Sequence, residues 1–311
     1  MIVVLAGGMG AARFLRGLVR VVEPSEVTIV GNTGDDIRIY GVHVSPDLDI
    51  VTFALAGVLD EARQFGIAGD THVVMEMLRE QGEDTWFDLG DRDFGICLAR
   101  TVRLDRGIPL HSAVARTVRR FSLPVTLLPM TDDPVHTEID TPEGAMHFQE
   151  YWVRRRAEPL AVGVRLVGVE RARPAPGVLE AIEAADVVVI APSNPVVSVG
   201  PILQVAGIRD ALRRTRAPVV GISPIIGGRV VRGMADRLLP AVGAEVSARG
   251  VAGLYADILD GFVIDAVDAA TATAVEHLGT KTAITQTLMH TPEDAAALAK
   301  GTLALADEVR G

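Results

Sequence analysis

Short, wholly apolar runs recur along the chain, each followed by a polar turn and then by apolar residues spaced three and four apart. Ile2 to Ala6 (IVVLA) reads as a buried strand, Gly7 to Gly10 as a turn, and Ala11 to Val22 as an amphipathic helix. The strand pattern returns at Glu26 to Val30, Asp186 to Ile190, Pro218 to Ile222 and Gly261 to Val267. Helical spacing fills Pro176 to Ala185, Ile208 to Thr215 and the stretch around Val246 to Leu259. A last helix is expected over Pro292 to Val309, with Thr291 as its N-cap and proline at its first position. Strands apolar at every position are buried on both faces, and their alternation with helices predicts an α/β, Rossmann-like, doubly wound and mostly parallel sheet.

The middle of the chain breaks this rhythm. Residues 52–120 are mostly helical in pattern, and short strand-like pieces follow at Val125 to Pro129, Val135 to Ile139 and Leu166 to Val169. The expected organisation is a nucleotide-binding core of residues 1–50 and 170–311, interrupted by a helical and short-strand insertion over 51–169. Such an insertion would close over the carboxyl ends of the strands, where open parallel sheets bind ligands.

Composition narrows the function classes. Hydrophobic residues make up 49% of the 311 residues and aromatics only 4%, so the core is built from Val, Leu, Ile and Ala. A formal net charge of −10 argues against a general nucleic-acid binder. Cys97 is the single cysteine, which excludes an internal disulfide and a cysteine-based zinc site; it is expected as a small buried hydrophobe. No apolar run approaches the roughly 20 residues of a membrane span, and the first residues lack a charged leader, so a cytoplasmic protein without a membrane partner is expected.

Candidate chemistry concentrates in the turns. Ala191 to Leu203 (APSNPVVSVGPIL) runs from a buried strand into a helix, and Ser193, Asn194 and Ser198 supply neutral hydrogen-bonding groups. Gly200 and Pro201 are expected to open that helix, with its free amides and positive dipole end facing a phosphate. The stretch holds no lysine or arginine, so backbone amides, the helix end and a metal would neutralise the phosphates. The first glycine turn, AGGMGAARFL at 6–15, resembles a dinucleotide fingerprint at Gly8 and Gly10, but Arg13 stands where the third glycine would be. A polar ligand approaching the backbone of Gly8 to Ala11, with Arg13 reaching an anion, stands beside a plain tight turn with Arg13 in solvent. No GxxxxGK[ST] string and no HExxH string occurs.

Four aspartates follow the second strand: Asp35 and Asp36 in GNTGDD, Asp47 and Asp49 in SPDLD. Magnesium takes one or two carboxylates together with substrate phosphates and water, so all four are candidate metal ligands; capping of turns is the alternative. Pro46 is expected to keep the segment extended, which would project Asp47 and Asp49 from one face. LGDRD at 89–93 adds Asp91, Arg92 and Asp93, with Arg92 either presented to an anionic ligand or part of a surface ion-pair cluster. His147, Phe148 and Trp152 in MHFQEYW are candidates for an aromatic pocket, and Arg154 to Arg156 for a solvated basic edge.

Together these strings, with MTDDP at 130–134 and SPIIGG at 223–228, resemble the 2-phospho-L-lactate transferase family, CofD in archaea and FbiA in actinobacteria. The resemblance runs from the first strand to the last helix. It implies a magnesium-dependent transferase of coenzyme F-420 biosynthesis. Such an enzyme moves a phospholactyl or phosphoenolpyruvyl group from a guanosine diphosphate-linked donor to the ribityl hydroxyl of the deazaflavin Fo, releasing GMP. By matching motifs it implies Asp47, Asp49 and Arg92 as catalytic residues, and Asp49, Asp91, Arg92 and His147 as Fo contacts. Gly8, Gly10, Ser193, Asn194, Ser198, Gly200, Ser223, Ile226 and Gly227 would line the nucleotide and diphosphate site. It also implies a homodimer, and Asp49→Asn is expected to lower turnover far more than folding stability. A YvcK-like nucleotide-sugar-binding regulator of the same fold is the alternative, against which SPDLD, LGDRD and HFQEYW argue.

Overall fold

In the computed structural model, which describes residues 1–310, seven parallel strands form the central sheet. They are β1 (Ile2–Ala6), β2 (Val27–Gly31), β3 (Thr126–Pro129), β4 (Val187–Ile190), β5 (Val219–Ile222), β6 (Gly261–Asp265) and β7 (Lys281–Thr285). Their spatial order is β7-β6-β5-β4-β1-β2-β3. This is the doubly wound Rossmann order with one strand added, and its switch point falls between β1 and β4.

The five inner strands bury both faces. Along β1, Val3 and Leu5 enter one core, with Val188 and Ile190, while Ile2, Val4 and Ala6 enter the other, with Val187 and Val189. Each such side chain contributes roughly 1.5–3 kcal/mol on burial, so the sheet is a firm base for the turns at its carboxyl edge. Helices α1 (Gly8–Leu18), α2 (Pro46–Leu55) and the last helix (Pro292–Val309) cover the second face. The last helix starts on a full capping box: the Thr291 hydroxyl accepts from the Asp294 amide at 3.1 Å, and the Asp294 carboxylate accepts from the Thr291 amide at 2.9 Å.

Two features depart from the pattern expected of the sequence. Thr126–Pro129, grouped above with the inserted pieces, pairs in parallel with β2 and forms an edge of the central sheet. The other edge, β7, went unread because KTAIT keeps polar residues at an edge, which hides the apolar signal. The rest of the middle region comprises α3 (Val73–Glu80), α4 (Asp91–Leu104), α5 (Leu110–Arg120) and a small antiparallel sheet. In that sheet His136–Thr141 lies between Gly144–His147 and Gly163–Val167. A hairpin of Ile37–Ile39 and Val42–Val44 joins α3 and α4 through a satellite core of Val42, Val44, Met75, Leu89 and Cys97. Cys97 is buried there, as its composition-based reading expects.

Candidate functional site

The turns after β1 and β4 open into a cavity of about 660 Å³. The β1 turn is shaped by close approach. A Cβ on Gly7 would lie 2.3 Å from Asp47 Oδ2, and one on Gly10 would lie 2.0 Å from the Pro192 carbonyl oxygen, so neither position admits a side chain. Gly7 is the N-cap of α1 and offers no capping side chain, and Gly8, Met9 and Gly10 line the cavity. The N-terminal amides of an 11-residue helix therefore face the cavity at the switch point, a geometry that favours anions. Ser193 fixes the turn from the β4 side by accepting a hydrogen bond from the Gly7 amide at 3.2 Å.

The β4 turn is built differently from its expectation. Helical structure begins at Pro195 as a π-helical turn over Pro195–Val199, and Gly200 continues it rather than opening it. The Asn194 side chain caps this turn, accepting from the Val196 and Val197 amides at 2.9 and 3.3 Å. The uncapped helix end thus belongs to α1. Ser193, Asn194 and Ser198 line the cavity and Gly200 does not. After β5, Ser223 and Ile226 line it, while Gly227 lies in the turn of a hairpin with its amide given to Asp268 at 2.9 Å.

The four aspartates separate. Pro46 takes the first position of α2 instead of extending the chain, and residues two apart on a helix leave in different directions. Asp47 turns to the β1 wall and accepts from Asn32 Nδ2 at 2.9 Å; Asp35 shares the same amide at 3.4 Å. Asp49 turns to α4 and is held by both terminal nitrogens of Arg100. Asp36 leaves the cavity for His43 Nε2 and Ser45 Oγ, both at 2.8 Å. Asp35 and Asp47 remain buried with no cationic partner among the described residues. Burial, opposed by hydrogen bonds from Asn32 and Ser198, pushes the Asp47 carboxyl up to about 6. Burial and then the Asp47 charge push Asp35 well above the usual carboxylate range.

The opposite wall comes from the middle region. Phe65, Trp86, Phe87, Phe148 and Trp152 line it, with Trp86 and Phe87 edge to face at 5.7 Å. Tyr40 fixes this loop: its hydroxyl accepts from the Phe87 amide at 3.0 Å and donates to the Asp84 carbonyl at 3.2 Å. Behind the aromatic wall, Arg100 is 1% exposed and completes the Asp49 ion pair with a bond to the His43 carbonyl at 3.3 Å. Asp93 lines the cavity beside this pair, and burial and then the Asp49 charge, against Arg100, push it up to about 7.

Besides Asp36, Gly200 and Gly227, three more residues expected here lie elsewhere. Arg92 is exposed at the start of α4, because that helix turns Asp93, Cys97, Arg100 and Thr101 inward and residue 92 outward. Asp91 caps α3, accepting from Val74 at 2.9 Å, Val73 at 3.1 Å and Thr71 Oγ1 at 2.6 Å. His147 stacks on His136 and ties the small sheet to the acidic turn through the Asp36 carbonyl at 3.1 Å. The residue that sequence reasoning missed is Arg100. Its signal was present: 93, 97, 100 and 101 follow helical spacing, so polar residues occupy what would be a core stripe.

The chain is similar to known proteins over nearly its whole length. A sequence model of the family described as 2-phospho-L-lactate transferase CofD matches residues 2–300. A phosphoenolpyruvate transferase from Streptomyces griseus subsp. griseus is 48% identical over 315 residues, covering 99% of each chain. A 2-phospho-L-lactate transferase from Methanothermobacter thermautotrophicus is 42% identical over 300 residues, covering 96% of each. Among solved structures, a protein of the UPF0052 family from Bacillus halodurans superposes with a TM-score of 0.63 at 17% identity, over 97% of this chain and 98% of that one. That last likeness is one of fold.

Proposed function

The chain belongs to the CofD family of 2-phospho-L-lactate transferases, and we propose that it transfers a three-carbon phosphoacid group from a guanosine diphosphate-linked donor to the ribityl hydroxyl of Fo, in the assembly of coenzyme F-420. One observation carries this reading: a single cavity sets an uncapped helix N-terminus and a buried carboxylate pair against an aromatic wall. The helix end suits a diphosphate, and the aromatic faces suit a flat heterocycle.

The donor set fits magnesium. Asp35 and Asp47 offer two hard oxygen ligands beside the phosphate-facing amides, and without a cation two neighbouring buried carboxylates resist full ionisation. Magnesium held by these two would neutralise charge on the phosphate oxygens. In the reaction the hydroxyl oxygen bonds to the phosphorus that bears the three-carbon acid. The bridging bond to the guanosine-side phosphate breaks, and GMP leaves. The hydroxyl proton would pass to a carboxylate, a role we give to Asp49, which lines the cavity and is held by Arg100. Catalysis of this kind is mainly positioning and charge stabilisation.

The relatives named phosphoenolpyruvate transferase share more of this sequence than the archaeal relative does, which supports an enolpyruvyl donor. The test is a mass-spectrometric assay with Fo, magnesium and equal amounts of lactyl and enolpyruvyl guanosine donors. GMP with mainly the enolpyruvyl product is expected. Absence of GMP release overturns the transferase reading, and mainly lactyl product overturns the choice of donor.

A further inference from the structure

Around the cavity Arg63 pairs with Asp88, Arg100 with Asp49 and Arg154 with Asp84. The arginines that line the cavity itself are Arg13, Arg156 and Arg232, and none of them makes an ion pair or a side-chain hydrogen bond among the described residues. Arg13 and Arg232 are the two whose charges meet. Arg13 stands on α1 just beyond the glycine amides, at the place where the dinucleotide fingerprint would have its third glycine. Arg232 comes from a different part of the chain, the turn between the hairpin strand Arg229–Val230 and the helix Ala235–Ala241. Gly233, with φ of +92°, shapes that turn, and Asn194 touches it at the Met234 sulfur, 3.9 Å away.

The two guanidinia act on each other. Burial, and then the Arg13 charge, lower the Arg232 guanidinium below its ordinary value. Like charges that act on each other with no carboxylate bonded to either are costly until an anion joins them. Arginine's planar fork suits carboxylate and phosphate oxygens in pairs. The β4 turn itself carries no basic side chain, but the fold brings arginines to the cavity from elsewhere, among them Arg13 and Arg232.

We propose that Arg13 and Arg232 together form an anion clamp for the transferred end of the donor, gripping its phosphoryl or carboxylate oxygens. The inference rests on reading the cavity as the donor site, and it adds the residues that recognise the group to be moved. A donor whose far end is uncharged would lose both contacts, so the clamp also sets specificity for an acidic group.

The test compares Arg232→Gln and Arg232→Lys with the wild-type chain, since Arg232 lies on a turn and not in the core. GDP is titrated calorimetrically, KM is measured for the full donor, and Fo affinity is measured separately. A rise of at least roughly tenfold in the GDP Kd for the glutamine variant assigns the clamp to phosphoryl oxygens. Unchanged GDP binding with a similar rise in donor KM assigns it to the carboxylate. In both cases Fo affinity stays unchanged and lysine restores part of the loss. Unchanged GDP Kd and donor KM together overturn the clamp. If wild-type protein binds GDP in an Arg232-dependent way yet releases no GMP from donor and Fo, the clamp stands and the transfer reading falls.

Discussion

The two walls of the cavity are made by different means. The wall proposed to take the donor, the donor wall, is backbone: helix amides and turns between adjacent strands, set by glycines that let main chain approach main chain at Pro192. The wall proposed to take the acceptor, the acceptor wall, is side chain: aromatics from residues 65 to 152, with an Asp49–Arg100 pair whose members lie 51 residues apart. A backbone wall is specified by local sequence, whereas a side-chain wall depends on long-range packing. The two should therefore fail differently when mutated.

The largest effect is expected on the acceptor side. Arg100→Met leaves the Asp49 carboxylate buried without its cation, and breaking such a pair costs about 3–5 kcal/mol. Urea denaturation would measure this. Asp49→Asn belongs to the same class, because it strands the Arg100 charge. Its loss of turnover should come with a lowered melting temperature, contrary to the purely kinetic effect expected from sequence. A normal melt for either variant would show that the pair does not brace the wall.

The next effect belongs to the carboxylates between the walls. Asp47 is raised from 3.8 to about 6 in the folded protein, so its protonation favours folding. That contribution is full below about pH 4 and is lost as pH rises through 6, an effect of roughly 3 kcal/mol by pH 7. Metal-free protein should lose this much relative to Asp47→Asn over that range. Magnesium should restore more stability at pH 7.5 than at pH 5 in calorimetric scans. Equal stabilisation at both pH values would count against the site.

Smaller effects separate the walls further. Gly10→Ala forces a methyl against the Pro192 carbonyl, and crowding of this kind costs typically about 1–3 kcal/mol. GDP affinity should fall with it while Fo binding persists. Arg92→Ala, at an exposed position, should stay within about 0.5 kcal/mol of wild type and keep full turnover. A turnover loss there would return Arg92 to the site.

This contrast also explains what could be read from sequence. The runs IVVLA and DVVVI located the switch-point strands because strands buried on both faces need apolar residues at every position. Gly8, Gly10, Ser193, Asn194 and Ser198 follow directly on those strands, so their place in the cavity came with the strands. The aspartates were found as a group, but their partners were not, because α2 begins at Pro46 and splits Asp47 from Asp49. Arg92 of LGDRD faces outward, whereas Arg100, two turns later on the inward face of α4, is the arginine that holds Asp49. Nothing local to residue 232 marks it as a partner of residue 13.

The central claim is that the two walls take two different ligands. It is tested most directly by titrating GDP and Fo separately into wild type, Ser193→Ala and Trp86→Ala. Ser193→Ala is expected to weaken GDP and leave Fo unchanged. Trp86→Ala is expected to weaken Fo by about tenfold, the loss of one stacking contact, and to leave GDP unchanged. Equal losses of both ligands in both variants, or Fo binding indifferent to Trp86, would contradict it.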